Sequence, residues 1–278
     1  MSARTARSIV FALVLGMLMA LALPATAITD GTVDSEDDYP FVAIALQFVA
    51  DGAFICSAEA IDSYHLVTAA HCFQDFVPPA AGGPANVPVP GIQVRYGIDA
   101  FAPDAVVTGT WYPDAWCPAC GPGLKGFDSK DIAIIKLDTP VVLSEYVHLA
   151  PEGFSDTLRN KTDVMQVGYG VNDFIPGNGP LAANAAFDGL RRFAPAELIA
   201  SNHPHADEYL KVSSNPSKGK GGACFGDSGG PLMYDDDGTW LLLANTSYGA
   251  NGVCAGPGYF NRMETSEALT FVDSIVNP

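Results

Sequence analysis

Basic residues are scarce in this chain: 14 Lys and Arg stand against 31 Asp and Glu in 278 residues, a formal net charge of −17. A surface of that sign repels nucleic acid and anionic lipid, and no Lys/Arg stripe offsets it, so neither is an expected partner. Charged residues make up only 16% of the chain and hydrophobic ones 48%, which excludes a disordered tail and provides for one or two sizeable cores. No Cys/His quartet has zinc spacing, no glycine-rich phosphate loop opens a helix, and no acidic segment has the pattern of a calcium loop. No cofactor and no metal is therefore expected. Internal repeats are missing as well, and long apolar runs are absent apart from Ile9 to Leu23.

That run follows Arg4 and Arg7 and precedes Pro24 and the small-residue site Ala25-Thr26-Ala27. A basic start, a short apolar centre and a small-residue end predict a secretory signal over residues 1–27. The apolar centre, about 15 residues, falls short of the roughly 20 that a membrane-spanning helix needs. Cleavage after Ala27 leaves 12 basic against 31 acidic residues, a net charge of −19, and an extracellular protein with no membrane attachment. All six cysteines, Cys56, Cys72, Cys117, Cys120, Cys224 and Cys254, lie beyond the signal. In an oxidising compartment they predict three disulfides, with fifteen pairings open. Cys117-Pro118-Ala119-Cys120 has the spacing of a redox dithiol, but it sits in a Gly/Pro-rich loop and not at a strand-to-helix turn, so a small structural disulfide is expected there.

The texture is all-β. Short runs rich in Val, Ile, Tyr and Phe alternate with Gly/Pro/Asn/Asp turns and predict strands over Phe41–Phe48, His65–Thr68, Gln93–Tyr96, Asp131–Leu137, Val164–Tyr169, Leu190–Pro195, Tyr209–Val212 and Trp240–Tyr248. Helical spacing is confined to Leu269, Val272, Ile275 and Val276, after two candidate caps, Thr265 and Ser266. Val77–Pro90 and Asn172–Asn184 read as long surface loops. Many short strands that must hide their edges imply a sandwich or a barrel.

Three segments carry chemistry. Gly226-Asp227-Ser228-Gly229-Gly230-Pro231 puts a serine in a glycine-dense turn where backbone N–H groups can converge on an anion. A serine hydroxyl is a poor nucleophile until a base takes its proton. His71, within Val67-Thr68-Ala69-Ala70-His71-Cys72, is the candidate base, and Asp131, opening Asp131-Ile132-Ala133-Ile134-Ile135-Lys136-Leu137, is a candidate acid to orient it. Singly, each has an ordinary structural explanation: a packed histidine, a strand-end cap, a turn. Together, in the order histidine, aspartate, serine, they closely resemble the trypsin/chymotrypsin family of serine endopeptidases.

The resemblance implies two antiparallel six-stranded β-barrels with the active site in the cleft between them and a short C-terminal helix, with residues 28–146 forming the first barrel and 147–278 the second plus the helix. It implies Ser228 as nucleophile, His71 as general base and acid, Asp131 as the group that sets the imidazole tautomer, and the N–H groups of Gly226 and Ser228 as the oxyanion hole. It also implies the pairs Cys56–Cys72 and Cys224–Cys254, and a role in holding substrate backbone for Ser247-Tyr248-Gly249. Ile28-Thr29-Asp30-Gly31 resembles the apolar N-terminus that family members free by cleavage, with Asp30 in place of the usual glycine, so the Ile28 ammonium is expected to pair with Asp227. Six positions before the nucleophile, where trypsin-like members carry an aspartate, stands Gly222. With Ala223, Gly249 and Gly258 it implies an open, uncharged pocket suited to an apolar or aromatic P1 residue, although Lys218 and Lys220 lie just upstream. Expected partners are a protein or peptide substrate and a protein inhibitor. The competing readings are a catalytically silent secreted binding protein on the same fold and an esterase using the same triad. Asn160-Lys161-Thr162 and Asn245-Thr246-Ser247 match the glycosylation pattern, the second beside the expected cleft.

Overall fold

The computed structural model describes residues 28–50, 52–73, 87–116, 130–174, 185–199, 206–214, 219–249, 254 and 256–278. The expected signal segment, Cys117 and Cys120, and much of the two long loops lie outside the described residues.

Twelve strands build two closed barrels. The first comprises β1 (Val42–Val49), β2 (Gly52–Ala60), β3 (His65–Thr68), β4 (Val89–Tyr96), β5 (Ala105–Pro113) and β6 (Ala133–Leu137), in the order β1-β2-β3-β6-β5-β4. The second comprises β7 (Asp163–Gly168), β8 (Arg192–Leu198), β9 (Tyr209–Ser213), β10 (Pro231–Asp236), β11 (Thr239–Gly249) and β12 (Gly258–Arg262). Its order, β7-β8-β9-β12-β11-β10, closes through the β10–β7 pairing and repeats that of the first barrel. Every neighbouring pair around both rings is antiparallel, and closure leaves no long open edge. The topological repeat leaves no trace in the sequence, because a barrel asks only for alternating burial and not for particular side chains.

Local sequence accounts for several elements. β5 alternates between more and less buried residues from Val106 to Pro113, with Gly109, Trp111 and Pro113 buried and their neighbours exposed or half-buried, as a strand with one wet face must. β2 is instead buried without a break from Cys56 to Ala60, since the barrel interior covers one of its faces and the second barrel meets the other. The C-terminal helix α1 (Ser266–Val276) starts where the capping signal placed it: the Thr265 side chain accepts from Ala268 N at 3.2 Å. Ala268 and Val272 face inward and join the core of the first barrel. Among the described residues no helix is long and apolar enough to cross a membrane.

The segment preceding β1 reaches across to the second barrel. Thr32–Val33 pairs with Arg192 and Phe193 of β8, and Thr29 forms an antiparallel bridge with Gly222. Asp34 anchors this crossing. Fully buried, it accepts from Arg191 Nε at 2.8 Å and from Tyr39 N at 3.2 Å, while the equally buried Arg191 also donates to Val42 O. Two desolvated charges are tolerated here because each is paired and hydrogen-bonded, Arg191 donating to the Asp37 carboxylate as well; removing Arg191 would leave Asp34 as an uncompensated buried charge.

Candidate active site

The first barrel brings two of the three chemical residues together through strand pairing. In the β3–β6 ladder Thr68 faces Ala133, so the chain leaving β3 and the chain entering β6 run side by side, and His71 meets Asp131. A single 3₁₀ turn, Ala70–Cys72, carries His71. Ala70 and Cys72 are buried on either side of it, and Phe73 packs edge-on against Trp111 at 6.0 Å, which leaves the imidazole facing outward with 27% of its side chain exposed.

Asp131 is completely buried and fully used. Its carboxylate accepts from His71 Nδ1 at 2.7 Å, from His71 N at 2.9 Å and from the Ser247 hydroxyl. Its own N–H donates to Asn261 Oδ1 at 3.1 Å, and its carbonyl accepts from Asn245 Nδ2 at 3.0 Å. Burial is the largest influence and opposes ionisation, yet the adjacent imidazole and the hydrogen bonds from His71 and Ser247 hold the pKa below the ordinary aspartate value. With Asp131 ionised, Nδ1 is the protonated nitrogen and Nε2 is left as the base.

The second barrel supplies the serine. Gly229 N donates to Thr246 O, Thr246 N donates to Gly230 O, and Pro231 pairs with Asn245, so the Ser228 turn is welded to the β10–β11 ladder. Gly229 adopts φ +78°, and a Cβ there would lie 2.7 Å from Ala69 N; only glycine fits. Ser228 and His71 line one cleft of about 1050 Å³. The N–H groups of Gly226 and Ser228 have no acceptor among the described residues, as a site awaiting an oxyanion requires.

The other expected site residues fall as follows. Ala223, Ser247, Tyr248, Gly249 and Gly258 line the cleft, joined by Phe260, and among the described residues no Asp, Glu, Lys or Arg does so. Gly222 is buried outside that lining, exchanging backbone hydrogen bonds of 2.9 and 3.0 Å with Thr29, and a Cβ on it would lie 2.8 Å from Ser214 Cβ. Lys220 is engaged elsewhere, 2.5 Å from Asp163. Cys56–Cys72 and Cys224–Cys254 are both bonded, the first beside His71 and the second within the cleft wall. Ile28 is fully buried. Asp227 is 1% exposed, accepts from Cys224 N at 2.8 Å and from Gly170 N at 2.7 Å, and is pushed up to about 7 by burial, against those two hydrogen bonds.

Sequence reasoning missed Asn245 and Asn261, which hold the Asp131 backbone, and Ser57, which meets the nucleophile turn. Asn245 had a visible signal in its glycosylation pattern, but it is fully buried against Asp131 and closed to glycan attachment in the folded protein.

The sequence model of the Trypsin family matches residues 28–269. Transmembrane protease serine 11G of Mus musculus is 27% identical over 258 residues, covering 86% of this chain and 54% of the mouse protein. Venom serine protease Bi-VSP of Bombus ignitus is 26% identical over 238 residues, covering 80% of this chain and 59% of its own length. A venom protease of Bombus pensylvanicus is 30% identical over 156 residues, 53% of this chain and 59% of its own. The chain thus spans little more than half the length of these relatives.

Proposed function

Since the chain belongs to the trypsin family of serine proteases, we propose that it is a secreted endopeptidase that cleaves peptide bonds after apolar or aromatic residues. The observation that carries this reading is the constellation around Asp131: a buried carboxylate with its acceptor sites filled by His71 and Ser247, facing a cleft shared by His71 and Ser228. In the proposed reaction Ser228 Oγ attacks the scissile carbonyl as His71 Nε2 takes its proton. The tetrahedral oxyanion is received by the N–H groups of Gly226 and Ser228. His71 then protonates the leaving amine, the acyl group stays on Ser228, and water activated by the same imidazole releases it.

The preference for apolar P1 residues is supported by Ala223, Gly249 and Gly258, whose small size leaves space, and by a cleft that no Asp, Glu, Lys or Arg lines among the described residues. Secretion is supported by the pattern of residues 1–27 and by the disulfides. Cleavage profiling on a peptide library tests the reading: kcat/KM should be highest with Phe, Tyr or Leu at P1 and at least about tenfold lower with Lys or Arg, the discrimination a hydrophobic pocket can deliver. A preference for Arg would refute the specificity, and hydrolysis of esters without amides would refute the endopeptidase assignment.

A further inference from the structure

We propose that Ser57 is a positioning residue for the oxyanion hole, holding the Gly226 peptide in register with His71; this rests on the endopeptidase reading. Ser57 is fully buried in β2, outside the triad and outside the cleft lining. Its hydroxyl donates to Gly226 O at 3.0 Å and accepts from Tyr169 N at 3.0 Å, and its own N–H donates to Ser228 O at 2.9 Å. One residue therefore grips both members of the hole from behind.

The geometry explains what that grip does. Gly226 sits at φ +96°, a conformation that glycine holds without penalty but does not enforce. Two peptide planes meet there. The preceding one is fixed by Val171 N, which donates to Phe225 O at 2.7 Å. In a trans peptide the N–H points opposite to the C=O, so this bond turns the Gly226 N–H away from Val171 N. The following plane is held at both ends, by Ser57 Oγ on Gly226 O and by Asp227 N, which donates to Cys224 O at 3.0 Å. Without the hydroxyl that plane keeps only the second bond, so Gly226 is held less firmly between its two planes and the hole loses part of its preorganisation.

The position of Ser57 in the chain adds the register. Its neighbour Cys56 is bonded to Cys72, next to His71, so two consecutive residues of β2 connect the base on one side and the hole on the other. Thr68 Oγ1 locks the Ser57 carbonyl at 2.9 Å, which keeps the strand from sliding.

The test uses protein expressed from the full chain and compares wild type, Ser57→Ala and Ser57→Cys, the last being a weaker donor of similar shape. Each is assayed for kcat and KM on a peptide amide, for inhibition by a peptide boronic acid, and for inhibition by the cleaved product peptide. The boronic acid forms a tetrahedral adduct on Ser228 that places an oxygen in the hole, whereas the product binds as a ground state. Ser57→Ala should lower kcat and weaken the boronic acid in step, by about tenfold to a hundredfold, with KM and product affinity changed by less than about twofold. Ser57→Cys should fall between. A merely structural serine would lower the thermal midpoint without separating boronic acid from product, and that result overturns the proposal, as does a Ser57→Ala enzyme with unchanged kcat. Should Ser57→Ala fail to fold, the same separation is read from Ser57→Cys. An inert wild type overturns the endopeptidase reading and this proposal together; an active wild type with no separation overturns this one alone.

Discussion

Blocking the amine of Ile28 should expose the cost of burying Asp227. That carboxyl is 1% exposed, accepts two backbone N–H groups among the described residues, and has its pKa raised by burial from 3.8 to about 7. A folded-state value above the unfolded one means that the native state holds its proton longer, so stability falls as pH rises between the two values. At 1.36 kcal/mol per pKa unit, the full loss is about 4 kcal/mol, complete above about pH 7. A free Ile28 ammonium is proposed to supply the missing counter-charge. Ile28 is already fully buried, and Thr29 bridges Gly222 close to the Asp227 turn. Two proteins are compared, one beginning at Ile28 and one retaining Ala27, each denatured in urea from about pH 4 to pH 8 with tryptophan fluorescence as the signal. The retained-Ala27 protein should lose up to about 4 kcal/mol more across that range, and Asp227→Asn in it should remove the excess slope. All other titrating side chains are common to both arms, and the free α-amine of Ala27 titrates only near the top of the range. Identical slopes, or a slope untouched by Asp227→Asn, would refute the pairing.

Glu59 is a second carboxyl whose pKa burial raises far above the ordinary value, with neither oxygen bonded among the described residues. The sign is the same as for Asp227, stability present in acid and lost with rising pH, so Glu59→Gln should raise the urea midpoint at pH 7 by the equivalent of about 1 kcal/mol or more and flatten the pH dependence; an unchanged midpoint counts against it. Gly222→Asp should lower the thermal midpoint, because the new Cβ must displace Ser214, and should leave the P1 preference unchanged, because Gly222 lies outside the cleft lining; thermal denaturation and library profiling read the two outcomes.

What could be read from the sequence was local. His65–Thr68 is a strand with the expected bounds, and Thr265 caps the helix as its spacing implied. The candidate triad announced itself through short motifs because Gly226 and Gly229 hold positive φ, a Cβ at Gly230 would meet Val167 O at 2.7 Å, and Ala69 and Ala70 before His71 are fully buried. β2 escaped notice: its run of buried Cys56, Ser57, Ala58, Glu59 and Ala60 shows no alternation and little β-branching. β10 begins with a proline and ends in acids, residues that disfavour strands until a barrel closes around them. Ser57, Asn245 and Asn261 are common residue types whose roles exist only through partners far along the chain. Phe260 reaches the cleft lining because strand β12 pairs with β11, and no local motif marks it.

Covalent labelling with a fluorophosphonate, mapped by peptide mass spectrometry, addresses the central claim that Ser228 is an activated nucleophile. One adduct per chain is expected, located on Ser228, with near-complete loss in His71→Ala, since the two residues act as one unit. A folded protein that takes no label, labels elsewhere, or labels equally well without His71 would contradict it.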